Sequence, residues 1–220
     1  MTYNTNTGIY VSNILFSGHF QPEIDNLPFY PMQVDKAYDG VGKERKLTNT
    51  YDLCAFRSTD GKSSTLTHTS GPEKPEDFKY TEAYYNSPRL ADIIDYFKCP
   101  MMRARIFRQL PGGHNPLHTD FDSKREGGED TLRITVMLGD MPGGAWFKYV
   151  TGDSVVNVNL VKGQFVIFNA DTVQHETHNL TARPRDTFMF VVKKNEWLQK
   201  LCENSNPTYI NCSGRVRTAA

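Results

Sequence analysis

Between Met102 and Val192 apolar residues return at every second position in short runs, and each run is cut by glycine, proline or a polar cluster. Met102, Ala104 and Ile106 alternate with Arg103, Arg105 and Phe107; Leu132, Ile134, Val136 and Leu138 alternate with Arg133, Thr135 and Met137. In an extended chain successive side chains point to opposite faces, so a period of two buries one face only as a strand within a sheet. Further strands are expected over 145–150, 155–161, 164–169 and 187–192, with Val161-Lys162-Gly163-Gln164 as a tight turn. Strands this short must close against one another to bury a core. The chain is therefore expected to be mainly β with flanking helices, folded as a double-stranded β-helix, the jelly-roll barrel.

The 220 residues fit one domain, with the jelly-roll core over 101–193. Residues 1–100 form an irregular N-terminal region rich in turn formers, including Pro22, Pro28, Pro31, Pro72 and Pro75, with a strand-like stretch at Tyr51-Asp52-Leu53-Cys54-Ala55-Phe56. One supporting helix is expected there: Ser87 caps it, Pro88 occupies its first turn, and Leu90, Ile93, Ile94 and Phe97 form a stripe before Pro100 stops it. Residues 194–220 should hold a short helix containing Trp197, Leu198 and Leu201, then an irregular tail from Asn204.

Lys plus Arg and Asp plus Glu number 25 each, so nothing suggests electrostatic capture of nucleic acid or of an anionic membrane, and neither is expected as a partner. Cys54, Cys99, Cys202 and Cys212 are scattered without metal-binding or redox spacing, and the first residues are polar, so a reducing cytoplasmic setting is expected. The stretch from Asp122 to Asp130 mixes both charge signs with glycine and reads as a loop.

Chemistry concentrates at His118-Thr119-Asp120 and at His175. The turn-rich run Pro111-Gly112-Gly113-His114-Asn115-Pro116-Leu117 brings the triplet to a strand end, and His175 follows the apolar strand around Phe165-Val166-Ile167-Phe168. Two imidazoles and one carboxylate can cap one face of an octahedral iron and leave three positions open. Arg185 would supply a planar, permanently charged fork for a carboxylate. If Arg185 points inward, so do Thr187, Met189 and Val191, while Phe188, Phe190 and Val192 pack outward against helices. Arg133 can likewise point into the cavity, as can Arg105, Phe107, Gln109 and Trp146. His178 competes with His175 for ligand duty, His114 fits a contact around the metal or substrate, and His19 and His68 have no partner in sequence.

The segments RIFRQLPGGHNPLHTD, TLRITVML, GQFVIFNADTVQHETHN and RPRDTFMFVV, spanning roughly Met102 to Val192, resemble the aspartyl/asparaginyl β-hydroxylase-like branch of the Fe(II)/2-oxoglutarate dioxygenases. In that family the keto-acid arginine follows the distal histidine by ten residues. The interval from His175 to Arg185 matches, which favours His175 over His178. The resemblance implies Fe(II) held by His118, Asp120 and His175, with 2-oxoglutarate gripped by Arg185 and helped by Arg133, and dioxygen in the remaining position. Asp120 makes the chain more similar to the bacterial hydroxylases of free proline than to the mammalian enzymes that named the branch, which lack the carboxylate ligand. A filled carboxylate position also favours hydroxylation over halogenation.

Arg105, Phe107, Gln109, His114 and Trp146, with the loop residues Lys124 and Arg125, are the candidate substrate contacts. Arginines near the iron suit a free amino acid, such as proline. The alternatives are an Asp, Asn or Pro residue within a peptide, and a cupin-like protein that binds metal and ligand without turnover.

Overall fold

A computed structural model describes residues 8–32, 37–38, 44–45, 51–65, 74–120, 130–141, 145–203 and 206–218. The N-terminal part runs β1 (Ile9–Val11), β2 (Ile14–Ser17), α1 (Gln21–Asp25), β3 (Tyr30–Pro31), β4 (Ala37–Tyr38), β5 (Glu44–Arg45), β6 (Tyr51–Ser58), a 3-10 turn (Pro75–Asp77), β7 (Lys79–Tyr80), α2 (Glu82–Asn86) and α3 (Pro88–Tyr96). The core follows as β8 (Met101–Gln109), β9 (His114–His118), β10 (Thr131–Met137), β11 (Ala145–Thr151), β12 (Ser154–Val158), β13 (Phe165–Phe168), β14 (Gln174–Asn179) and β15 (Arg185–Lys193), then α4 (Glu196–Glu203) and β16 (Thr208–Asn211).

These strands form a jelly roll. The large sheet has the order β1-β13-β10-β15-β8-β6-β3, with β7 added to β6, and the small sheet is β12-β11-β14-β9. Side-chain parity sorts the core into two layers. Ala104, Ile106, Ile134, Val136, Phe188, Phe190 and Val192 pack outward against Leu90, Ile93, Ile94 and Phe97 of the α3 segment and against Leu198 of α4. Phe97 is central to this layer, with ring centroids 5.3 Å from Phe165 and 5.4 Å from Phe190. Each such aromatic or aliphatic side chain stabilises the fold by about 1.5–3 kcal/mol through burial. Met137, Phe147, Tyr149, Val166 and Phe168 form a second layer between the two sheets.

The expected alternation fails at Met102. A register shift between Phe190 and Val192 moves Met102 off the outer layer and onto Val191 and Phe78, because the irregularity inserts one residue into the pleat. The N-terminal region is also more regular than expected, since β6 completes eight residues of the large sheet beside β8.

α3 occupies the expected place but is capped differently. Ser87 makes no side-chain cap; the Glu23 carboxylate of the α1 region accepts the backbone N–H groups of Arg89, at 3.1 Å from each oxygen, and of Leu90, at 3.0 Å. A negative charge at a helix N-terminus satisfies orphan donors and favours the helix dipole. The tail is a second correction. β16 pairs in parallel with β2, and Arg217 binds Asp92 and Asp95 of α3, each at 2.6 Å. At the turn between β12 and β13, Gly163 has φ +82°, and a Cβ there would lie 2.0 Å from the Phe16 carbonyl oxygen, so only glycine lets β2 approach. Among the described residues no helix is long and apolar enough to cross a membrane, and all four cysteines are free.

Candidate metal centre

β14 is a strand that its own residues do not announce, because Gln174-His175-Glu176-Thr177-His178-Asn179 lacks apolar alternation; it is held instead by its neighbours β11 and β9. His175 therefore lies within this next strand rather than at the end of the preceding one. Its direct partner across the antiparallel pair is His118, the last residue of β9. Thr177 faces Asn115 and His178 faces His114, so three intervals of β14 are matched by four of β9. This bulge encloses Pro116, which has no N–H to give a ladder.

The two inner imidazoles have centroids 4.2 Å apart. His118 Nδ1 lies 2.7 Å from the Pro116 carbonyl oxygen and His175 Nδ1 lies 3.2 Å from that of Val173. A carbonyl can only accept, so each Nδ1 carries the proton and each Nε2 keeps its lone pair for a metal. Asp120, whose N–H is bonded to the Ala170 carbonyl at 2.9 Å, brings its carboxylate 3.2 Å from His175 Nε2 and 3.7 Å from His118 Nε2. All three ligand atoms lie within 4.8 Å of one another. Burial opposes a charged carboxylate, yet the Arg133 guanidinium and the two imidazoles hold Asp120 well below the usual carboxylate range. The donor set and its fixed tautomers fit Fe(II).

Arg133, expected on the keto acid, donates to Asp120 and lies 3.4 Å from His175 Nε2. Arg185 opens β15 and is 3% exposed. Its Nη1 donates to the carbonyls of Trp146 at 3.1 Å and His178 at 3.2 Å, and its guanidinium carbon lies 4.3 Å from the centre of the Phe147 ring. Among the described residues no carboxylate pairs with it, and its Nε has no hydrogen-bond partner. Burial lowers its pKa to about 10, which still leaves it charged at neutral pH.

Tyr149, directly opposite His175 on β11, is a residue that sequence reasoning misses. It is buried, burial pushes its phenol pKa up, and both Arg185 and Arg133 act on it electrostatically. The alternation Phe147, Tyr149 on an inward face is the available signal. Asn179 is missed too: its side chain donates to the carbonyls of Gln109 at 3.0 Å and Arg183 at 2.9 Å, tying together the strand end and the loop before Arg185.

Arg105, Phe107 and Gln109 pair with Met189, Thr187 and Arg185 and share their inward face. Gln109 donates to the Gly113 carbonyl and to Thr177 Oγ1, both at 3.1 Å, while its own side-chain oxygen is buried without a partner. Tyr51 reaches the same Thr177 hydroxyl at 2.5 Å. His114 and Trp146 need correction as cavity residues. Trp146 alternates with the inward Ala145 and Phe147, and it stacks on His178, which faces His114 on the outer side of the small sheet. The bulge causes this, since an unbroken strand would put His114 and His118 on one face. His19 is exposed, and His68, Lys124 and Arg125 lie outside the described residues.

No family profile and no curated protein matches the chain. Among solved structures it is similar to a prolyl hydroxylase from Trichoplax adhaerens in complex with a hypoxia inducible factor oxygen degradation domain peptide fragment, with TM-score 0.52, 12% identity, and coverage of 92% of this chain and 89% of that one. It is also similar to an oxidoreductase of the 2OG-Fe(II) oxygenase family from Burkholderia pseudomallei, with TM-score 0.51, 10% identity, and coverage of 86% and 80%. At these identities the likeness is one of fold.

Proposed function

We propose that this chain is an Fe(II)- and 2-oxoglutarate-dependent oxygenase that hydroxylates an unactivated C–H bond of a small carboxylated substrate, a free amino acid such as proline. The observation that carries the reading is the presence, inside one barrel, of a His-Asp-His cluster and a buried guanidinium that no described carboxylate neutralises. Either could occur alone for structural reasons. Together they supply a facial metal site and an anion slot for the same bidentate keto acid.

His118 and His175 would hold iron through Nε2 and Asp120 through a carboxylate oxygen. When bound, iron and 2-oxoglutarate supply the oxidation: dioxygen is divided between the hydroxylated product and succinate, with loss of carbon dioxide. Arg133 fixes the Asp120 carboxylate. Arg185 would grip the far carboxylate of the cosubstrate, and the protonated Tyr149 phenol, on the neighbouring inward position, would donate to it. The apolar layer of Phe147, Val166 and Phe168 excludes water around these charges. Arg105 would bind a substrate carboxylate, and the unpartnered Gln109 oxygen would accept from its ammonium group.

Succinate release from 2-oxoglutarate, measured with Fe(II) and oxygen against a panel of free amino acids and of peptides containing Pro, Asp or Asn, tests the reading. Release stimulated by a free amino acid is the expected result. Stimulation only by peptides would replace the substrate class. Binding of Fe(II) and 2-oxoglutarate without succinate under any condition would leave a cupin-like binding protein.

A further inference from the structure

The strand pair that carries His118 and His175 inward carries a second group of donors outward. His114 and His178 are direct partners across β9 and β14, with ring centroids 4.1 Å apart, and Glu176 lies on the same face of β14. His114 Nε2 is 2.9 Å from Glu176 Oε1, and one ligand atom from each of the three residues falls within 4.8 Å of the others. We propose that His114, Glu176 and His178 form a second, outward-facing site for a late first-row divalent cation such as Zn2+.

Three independent features support a built site rather than a chance cluster. The His178 ring is held flat against Trp146, at 4.6 Å between centroids and 6° between planes, so its orientation is fixed without a hydrogen bond. Its Nδ1 is buried and has no partner among the described residues, an arrangement that native proteins rarely leave unexplained. Glu176 is oriented from behind: Lys148 Nζ sits 2.5 Å from Oε2, which leaves Oε1 turned toward the imidazoles. An outer-shell cation that aims a ligating carboxylate is a common support for metal sites.

Two imidazoles and one carboxylate favour zinc, nickel or copper over magnesium or calcium. A cation entering between His114 and Glu176 takes the place of the hydrogen bond between them, with the neutral His114 ring keeping its proton on Nδ1 and offering Nε2 to the metal. The partial exposure of the site makes it the weaker of the two. Filled, it would clip the edge strand β9 to β14 on the side opposite His118 and His175.

Zn2+ titration of the full-length protein, with equilibrium dialysis to count bound metal, tests this. Wild type should bind two equivalents. His114→Ala and the nearly isosteric Glu176→Gln should each bind one, with circular dichroism confirming that they fold, whereas His118→Ala should lose only the tighter, inner equivalent. The zinc-induced rise in Tm remaining in His118→Ala should disappear when Glu176→Gln is added. One wild-type equivalent that His118→Ala removes, or two equivalents retained by both His114→Ala and Glu176→Gln, would reduce the cluster to a hydrogen-bonded network. A single wild-type equivalent lost in His114→Ala but kept in His118→Ala would instead refute the inner site and uphold this one.

Discussion

Replacing Arg185 by Met tests the link between the metal cluster and a keto-acid cosubstrate most directly. Met keeps an apolar stem and removes the guanidinium that lies over Phe147 and donates to the carbonyls of Trp146 and His178. Arg185 is 3% exposed, so solvent can replace little of its interaction with a bound carboxylate. Breaking a buried ion pair from one side costs about 3–5 kcal/mol. At about 1.4 kcal/mol per factor of ten, affinity for 2-oxoglutarate should fall between about a hundredfold and a few thousandfold. Fe(II) affinity should change little, because the hydrogen bonds of Arg185 go to the carbonyls of Trp146 and His178 and not to His118, Asp120 or His175. Lys at 185 should restore only part of the loss, since a point charge cannot reproduce the two-pronged contact.

The same substitution has a signature in stability. Wild type should be stabilised by about 2.7 kcal/mol at a 2-oxoglutarate concentration about a hundred times its Kd, and Arg185→Met by no more than about 0.4 kcal/mol at the same concentration. Anaerobic titration of the Fe(II) protein, followed by the absorption of the chelate, reports affinity; thermal unfolding with and without 2-oxoglutarate reports the coupling. An unchanged titration curve in Arg185→Met would remove Arg185 from the cosubstrate site and with it the main support for a 2-oxoglutarate enzyme.

His118→Ala or His175→Ala should abolish activity and high-affinity iron binding, while His178→Ala, on the outer face, should leave the inner iron equivalent in place by equilibrium dialysis. Asp120→Gly removes the proposed carboxylate ligand, to which Arg133 donates, so turnover measured by succinate should be lost; near wild-type turnover would show that Asp120 is not a ligand. Glu23→Ala should lower stability by about 1–2 kcal/mol through loss of the α3 cap, read as a shift in the denaturant midpoint. Gly163→Ala should cost more than about 3 kcal/mol, because it combines a positive φ with overlap on the Phe16 carbonyl; a loss below about 1 kcal/mol in the same assay would contradict that packing.

Features that depend on residue type and strict alternation are legible in the sequence itself. Phe188, Phe190 and Val192 announce an outer face, and Arg185, Thr187 and Met189 an inner one, because a sheet has only two sides. The grouping of His118, Asp120 and His175 also follows from donor chemistry and order along the chain. Features set by long-range partners are not legible. β14 has no apolar rhythm and exists because β11 and β9 flank it. Glu23 caps a helix 66 residues away, displacing the local candidate Ser87. The tail acquires order from β2 and from two carboxylates on α3. His114 and Trp146 are misplaced by sequence reasoning for a subtler reason: one bulge resets parity, and parity is the only ruler that a sequence offers.

The bulge at Pro116 also bears on how the open side of the barrel is protected. Among the described residues β9 ends the small sheet, and an unprotected edge strand is a template for another chain. Here the extra residue bends the strand out of a straight register, so an incoming strand would find no matching pleat. The irregularity that divides the histidines between two faces thus also discourages strand addition beside His118, and keeps the edge next to the candidate metal centre from becoming an aggregation seam.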